Sequence, residues 1–344
     1  LEFLLEYGLF LAKSVTIIIA VVVIISAIAV ASQRGKRESN DGHIEVSTLN
    51  HKFEDWEDML KYEILDEDTF KKEHKAKKKQ EKQDRKKKTE EKRKRLYVLD
   101  FDGDMSASEV ELLRHEISAV LTVAKPEDEI LLRLESPGGM VHSYGLASSQ
   151  LQRIRNHGIP LTIAIDRVAA SGGYMMACIG NKILAAPFAV IGSIGVVAQL
   201  PNFNRLLKKH DVDVELHTAG AHKRTLTMIG ENTDEGRQKF KEELEETHIL
   251  FKEYVSENRP QLDIEHIATG EVWYGKRALD QKLIDELSTS DDYLLSKRED
   301  TDLFLVKYRQ KRSLQERLGF AAEAAFNRSL TSLLGKLSQN RYWG

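Results

Sequence analysis

Val168-Ala169-Ala170-Ser171-Gly172-Gly173-Tyr174-Met175-Met176-Ala177 decides how this chain is read. An apolar, β-rich run (residues 160–166) leads into it, and an apolar helical run (174–179) leads out. A serine between small residues at a strand-to-helix turn has its backbone and hydroxyl open to a ligand. Gly172 and Gly173 allow close approach and leave free N–H groups where a helix starts, a place that favours negative charge. An acyl-transfer nucleophile needs that arrangement, because developing oxyanion charge must meet fixed donors. A tight turn with a serine N-cap explains the same ten residues. The stretch alone leaves both readings open.

Outward from it, the pattern repeats. Residues 96–101 read as a strand, 106–124 as a helix with Leu112, Leu113, Ile117, Val120 and Leu121 on one side, and 130–134 as a second strand. That strand ends in Glu135-Ser136-Pro137-Gly138-Gly139; a helix over 141–155 and a strand over 161–165 then lead into Ser171. Alternating strands and helices with short connections predict an α/β fold with a parallel sheet and crossover helices. In such sheets ligands bind at the carboxyl ends of strands, where both glycine-bearing turns fall. The apolar run 183–200 is broken by Pro187, Gly192 and Gly195 into pieces of strand length, so it predicts buried strands rather than a membrane span. Further on, the spacing predicts a short helix over 202–209, a strand over 212–216 and a long amphipathic helix over 232–257. A strand near 303–306 and an amphipathic helix over 314–337 close the chain.

Charge is unevenly spread. Residues 71–95 hold 15 Lys+Arg and 5 Asp+Glu, a net of +10, while the rest of the chain is near −13 (36 against 49), so the overall −3 conceals a basic segment on an acidic body. Almost free of apolar side chains, that segment predicts a solvated helix or disordered spacer. It lacks the interleaved aromatics of a nucleic-acid binder, so no nucleic-acid partner is expected; anionic lipid headgroups suit it better. Residues 15–31 carry no charge and, with Ser32, are long enough to cross a bilayer core of roughly 30 Å. We read them as an uncleaved anchor, although Ala29-Val30-Ala31 has the look of a signal-peptide cleavage site. Arg34, Lys36 and Arg37 follow it, a bias that places the next domain in the cytoplasm. The division expected is an N-terminal flank (1–14), an anchor (15–32), a polar then basic spacer (33–95), a catalytic domain (96–288), and a C-terminal strand and helix (289–344). The single cysteine, Cys178, excludes an intrachain disulfide and any cysteine-based metal cluster.

A serine hydroxyl is a weak nucleophile and needs a base within hydrogen-bond reach. His142, His217 and His222 are all candidates, and no spacing excludes them. Lys223, in a loop of small residues beyond the strand expected at 212–216, is the other; a lysine serves as base only where loss of water brings its pKa toward neutrality. Asp102-Gly103-Asp104 lacks further acidic ligands at calcium-loop spacing and reads as a turn.

The ordered set Ser136-Pro137-Gly138-Gly139, Ala169-Ala170-Ser171-Gly172-Gly173-Tyr174, Gly192-Ser193-Ile194-Gly195-Val196 and Gly220-Ala221-His222-Lys223 resembles the bacterial signal-peptide-peptidase family of serine peptidases. The resemblance covers about residues 96–287 and is carried by the combination of motifs. It implies a ClpP/crotonase-like βαβ fold with a Ser-Lys dyad: Ser171 as nucleophile, Lys223 as general base, Ser193 orienting the lysine, and the amides of Gly139 and Gly172 as oxyanion hole. It implies no metal or cofactor, polypeptide substrates with small or apolar side chains near the cut, a bacterial inner-membrane location and a homo-oligomer. It favours the outer side of the membrane for the catalytic domain, against the charge bias. A crotonase-like acyl-CoA enzyme would use the same pair of glycine amides but a carboxylate pair instead of Ser171 and Lys223. A non-catalytic membrane scaffold of the same fold would tolerate loss of Ser171.

Overall fold

The computed structural model describes residues 42–87, 93–220 and 223–310. The expected anchor (15–32) and the tail helix (314–337) lie outside these. Among the described residues no helix is long and apolar enough to cross a membrane.

Strand β1 (His43–Thr48) leads into helix α1 (Leu49–Ile64), against which α2 (Glu67–Lys87) packs. Then β2 (Lys94–Asp102), α3 (Val110–Leu121), β3 (Glu129–Glu135), α4 (Val141–Asn156) and β4 (Leu161–Ile165) alternate. Next come β5 (Val168–Ala170), the short α5 (Gly172–Ala177), β6 (Lys182–Ala185) and β7 (Val190–Gly192). The chain continues through α6 (Asn204–Lys209), α7 (Asp234–Asn258), α8 (Ile264–Ile267), β8 (Val272–Tyr274) and α9 (Gly275–Asp280). It ends in β9 (Glu286–Leu287), α10 (Ser290–Lys297) and β10 (Thr301–Arg309).

The main sheet has the order β1-β10-β2-β3-β4-β6-β9, and from β10 to β9 every neighbouring pair is parallel. Side chains alternate between two cores. Tyr97, Leu99, Phe101, Ile130, Leu132, Leu134, Ile163 and Ile183 face one side, packed with residues of α3, α4, α5 and α7. Leu96, Val98, Leu131, Ala164 and Leu184 face the other, under Leu49 of α1 and Tyr293 and Leu294 of α10. Burial on both faces is why these strands read as unbroken apolar runs. Beyond that second core the same face turns charged: Asp100 pairs with Arg133 at 2.7 Å and with Lys307 at 2.9 Å. These cations hold the Asp100 carboxyl below its usual pKa against the cost of burial.

A second, three-stranded sheet stands beside the first: β5 runs parallel to β7, and β7 antiparallel to β8. Ser136, just past β3, bridges to Ala169 of β5, so the glycine turn after β3 is fixed to the strand that carries Ser171. Residues 183–200 do supply two buried strands, β6 and β7. The strand expected over 212–216 does not form: Val212 and Leu216 are exposed and the segment joins no strand among the described residues. Its alternation of Asp211, Asp213 and Glu215 with apolar residues has no core to face. The basic segment begins as helix α2 and ends inside β2, which starts at Lys94.

Candidate active site

Ser171 sits between β5 and α5 with φ 53° and ψ −118°, a left-handed backbone that a side chain adopts only under constraint. The constraint is visible. Its N–H donates to the Gly192 carbonyl at 2.8 Å, and its own carbonyl accepts from Met175 N–H at 3.0 Å, opening the helix. A sharp strand-to-helix turn of this kind lifts a serine hydroxyl clear of the sheet.

The turn over residues 136–139 presses on it. A Cβ on Gly138, whose φ is +90°, would lie 2.7 Å from the Ala170 carbonyl oxygen, from Gly172 N and from Ser171 Cβ, so only glycine fits here. Two side chains hold this turn. Ser136 Oγ accepts from Gly138 N–H at 3.1 Å and exchanges a 2.5 Å hydrogen bond with the Tyr144 hydroxyl, which donates to the Asp104 carbonyl at 2.7 Å. Tyr144 is fully buried, and its ring fills the space beside Gly172 that any larger residue there would need. Tyr144 therefore touches the supports of both Gly139 and Gly172. Sequence reasoning missed it, because a tyrosine on the buried side of a helix looks like any core aromatic.

Gly139, Ser171 and Gly172 line one pocket of about 70 Å³, walled by Val141, Met175, Val196 and Phe251. Ser193 follows β7 as Ser171 follows β5. With Ala170 paired to Gly192, the two serines leave neighbouring parallel strands side by side, and both have left-handed φ (53° and 51°). Ser193 N–H is tied to the Glu271 carbonyl at 2.6 Å.

Lys223 is not brought in. It is exposed, its N–H donates to the Gly220 carbonyl at 3.2 Å, and among the described residues no hydrogen bond joins it to Ser171 or Ser193. His142 is exposed on α4, His217 is exposed and 3.1 Å from Glu215, and His222 lies outside the described residues. Burial pushes the Cys178 thiol up to about 12, which leaves it inert. Asp102-Gly103-Asp104 is a turn: Gly103 N–H donates to the Glu135 carbonyl, and the Asp104 carboxylate accepts from Ser106 and Ser108, which holds its pKa low. Among the described residues no cluster of metal-ligating side chains occurs.

The chain is similar to known proteins. Residues 2–151 match the model "Peptidase family S49 N-terminal" and 153–303 match "Peptidase family S49". The chain is 54% identical over 332 residues to "Probable protease SohB" of Haemophilus influenzae, covering 94% of each chain. It is 48% identical over 310 residues to the protein of the same name from Buchnera aphidicola subsp. Schlechtendalia chinensis, covering 86% of this chain and all of that one. A solved mutant of the 1510-N membrane-bound stomatin-specific protease is 17% identical, with a TM-score of 0.40 over 60% of this chain and 86% of that one. Two family models that together span most of its length, and relatives matched nearly end to end, establish that the chain is a serine-type peptidase belonging to family S49.

Proposed function

We propose that this peptidase is a membrane-anchored endopeptidase of ClpP/crotonase-like fold that cuts polypeptides through an acyl-enzyme on Ser171. The observation that carries the reading is the constrained Ser171 backbone in a pocket shared with Gly139 and Gly172. Lys223, as a neutral amine, takes the Ser171 proton while Oγ attacks the scissile carbonyl. The Gly139 and Gly172 amides hold the oxyanion, the lysine ammonium protonates the leaving amine, and water then repeats the steps in reverse to free the acid. Ser193, beside Ser171, orients the lysine. The narrow apolar pocket supports a small or apolar side chain at the cut.

A lysine serves as general base where water is kept from its amine, and Lys223 is exposed in the single chain, so the site needs a cover. Val197, Leu200, Phe203, Leu206, Met228 and Ile229, all exposed, lie on the segments flanking the pocket and the Lys223 loop. Burying them against further copies of this chain would exclude water from the site, which supports a homo-oligomer. Residues 15–32 anchor it in the bacterial inner membrane.

The test is peptide turnover by the full chain against pH. Wild-type turnover climbs with pH as the amine loses its proton, while Ser171→Ala and Lys223→Ala fall to background. A Lys223→Ala variant that keeps both the rate and the pH profile contradicts the dyad.

A further inference from the structure

Helix α1 carries one apolar stripe, Leu49, Phe53, Trp56, Leu60 and Ile64, at the three- and four-residue spacing that stacks side chains on one side of a helix. The domain covers only its first half. Leu49 is 8% exposed and Phe53 packs on the same core, whereas Trp56 (50%), Leu60 (62%), Ile64 (76%) and the adjacent Met59 (65%) stand open to water. Helix α2 does not cover them, because it packs on another side of α1. Lys77 pairs with Asp58 at 3.1 Å, Lys61 with Glu73 at 3.6 Å, and Tyr62 meets Phe70 edge-on. Lys52 lies over the Trp56 ring, 4.7 Å from its centre, and Lys71, Lys72, Lys75 and Lys79 of α2 are exposed.

We propose that the uncovered Trp56-Met59-Leu60-Ile64 face of α1 lies in the headgroup region of an anionic bilayer, with the lysines of α2 against the lipid phosphates. Apolar side chains beside a dense cationic segment are what an interfacial helix needs, and tryptophan favours that depth. Charge selects the bilayer over a second copy. Two such faces packed together would bring two segments of +10 (residues 71–95) near each other, whereas anionic lipid neutralises them. Only residues 33–48 separate this helix from the stretch we read as the anchor. The inference rests on a bilayer being the partner, not on that stretch being the anchor.

The test places a nitroxide at Met59→Cys, with Glu54→Cys, on the opposite side of the helix, as control, in the full chain reconstituted in vesicles. Both positions are exposed, and Cys178 is buried, so the introduced thiol takes the label. In phosphatidylglycerol-containing vesicles the Met59 label gains collisions with oxygen and loses collisions with a nickel chelate, while the Glu54 label stays in water. Phosphatidylcholine vesicles, or salt raised to ~1 M where the screening length falls to about 3 Å, weaken that signature. A Met59 label as open to nickel on anionic vesicles as the Glu54 label overturns the inference; if the chain still floats with those vesicles, the anchor reading survives. Spin–spin broadening between Met59 labels in neutral detergent also overturns it, in favour of a second copy.

Discussion

Changing Tyr144 to phenylalanine removes one oxygen atom from beneath the Ser171 turn and leaves the ring against Gly172. That oxygen makes two hydrogen bonds in a fully buried position, 2.7 Å to the Asp104 carbonyl and 2.5 Å to Ser136 Oγ. Ser136 keeps its bond from Gly138 N–H and the Asp104 carbonyl keeps one from Ala107 N–H at 3.0 Å, so the loss is the two bonds of the hydroxyl itself. At about 0.5–1.5 kcal/mol each, the two lost bonds are worth about 1–3 kcal/mol, a fall in Tm of roughly 2–12 °C for a domain of this size. The activity effect is separate. Complete loss of an oxyanion donor costs on the order of 10²–10³ in kcat. A loosened Gly138-Gly139 turn misplaces that donor without deleting it, so we expect kcat to fall roughly 10- to 100-fold. KM should hold, because the apolar walls of the pocket are untouched. Peptide turnover resolved into kcat and KM, beside a thermal melt, reads both effects. Ser136→Ala should not add to Tyr144→Phe, since both act on one turn. A Tyr144→Phe enzyme that melts earlier with unchanged kcat would show that the network only holds the core, and would refute the coupling to the site.

Gly138→Ala should abolish activity while leaving far-ultraviolet circular dichroism intact, because its Cβ must enter space held by the Ala170 carbonyl and Gly172 N; an active Gly138→Ala protein would contradict the crowding of that turn. Glu116 provides a pH handle. Burial raises its pKa to about 7 from 4.5, with Asp100 and Glu109 adding to the rise and Lys307 and the Tyr308 N–H opposing it. The folded state therefore holds a proton the unfolded chain has lost between pH 4.5 and 7, and stability falls as pH rises through that window, by at most about 3 kcal/mol. Glu116→Gln, which keeps an acceptor for Tyr308, should remove that slope and stabilise the protein at pH 8 but not at pH 4. Urea unfolding at both values checks it.

Much of the sheet was legible because its strands are covered on both faces and carry unbroken apolar runs, and because Gly-rich turns mark their carboxyl ends. Ser171, Gly139 and Gly172, more than thirty positions apart at the extremes, stood out by local chemistry and do meet in one pocket. What the sequence hid was long-range. The place of β10 beside β2 joins residues some two hundred positions apart, and no local pattern encodes that pairing. Residues 212–216 alternate like a strand but join no strand among the described residues. Tyr144 was hidden for the opposite reason, since its hydroxyl partners, Asp104 and Ser136, lie on other elements. The choice of Lys223 as base came from the resemblance alone; the residue is exposed and shares no hydrogen bond with Ser171 among the described residues.

The central claim is that Ser171 is the nucleophile. A fluorophosphonate probe reacted with the full-length protein, followed by peptide mapping, tests it most directly. The account predicts a single adduct on Ser171, absent from Ser171→Ala and formed more slowly in Lys223→Ala. An adduct on a different residue, or peptide hydrolysis undiminished in Ser171→Ala, would contradict it.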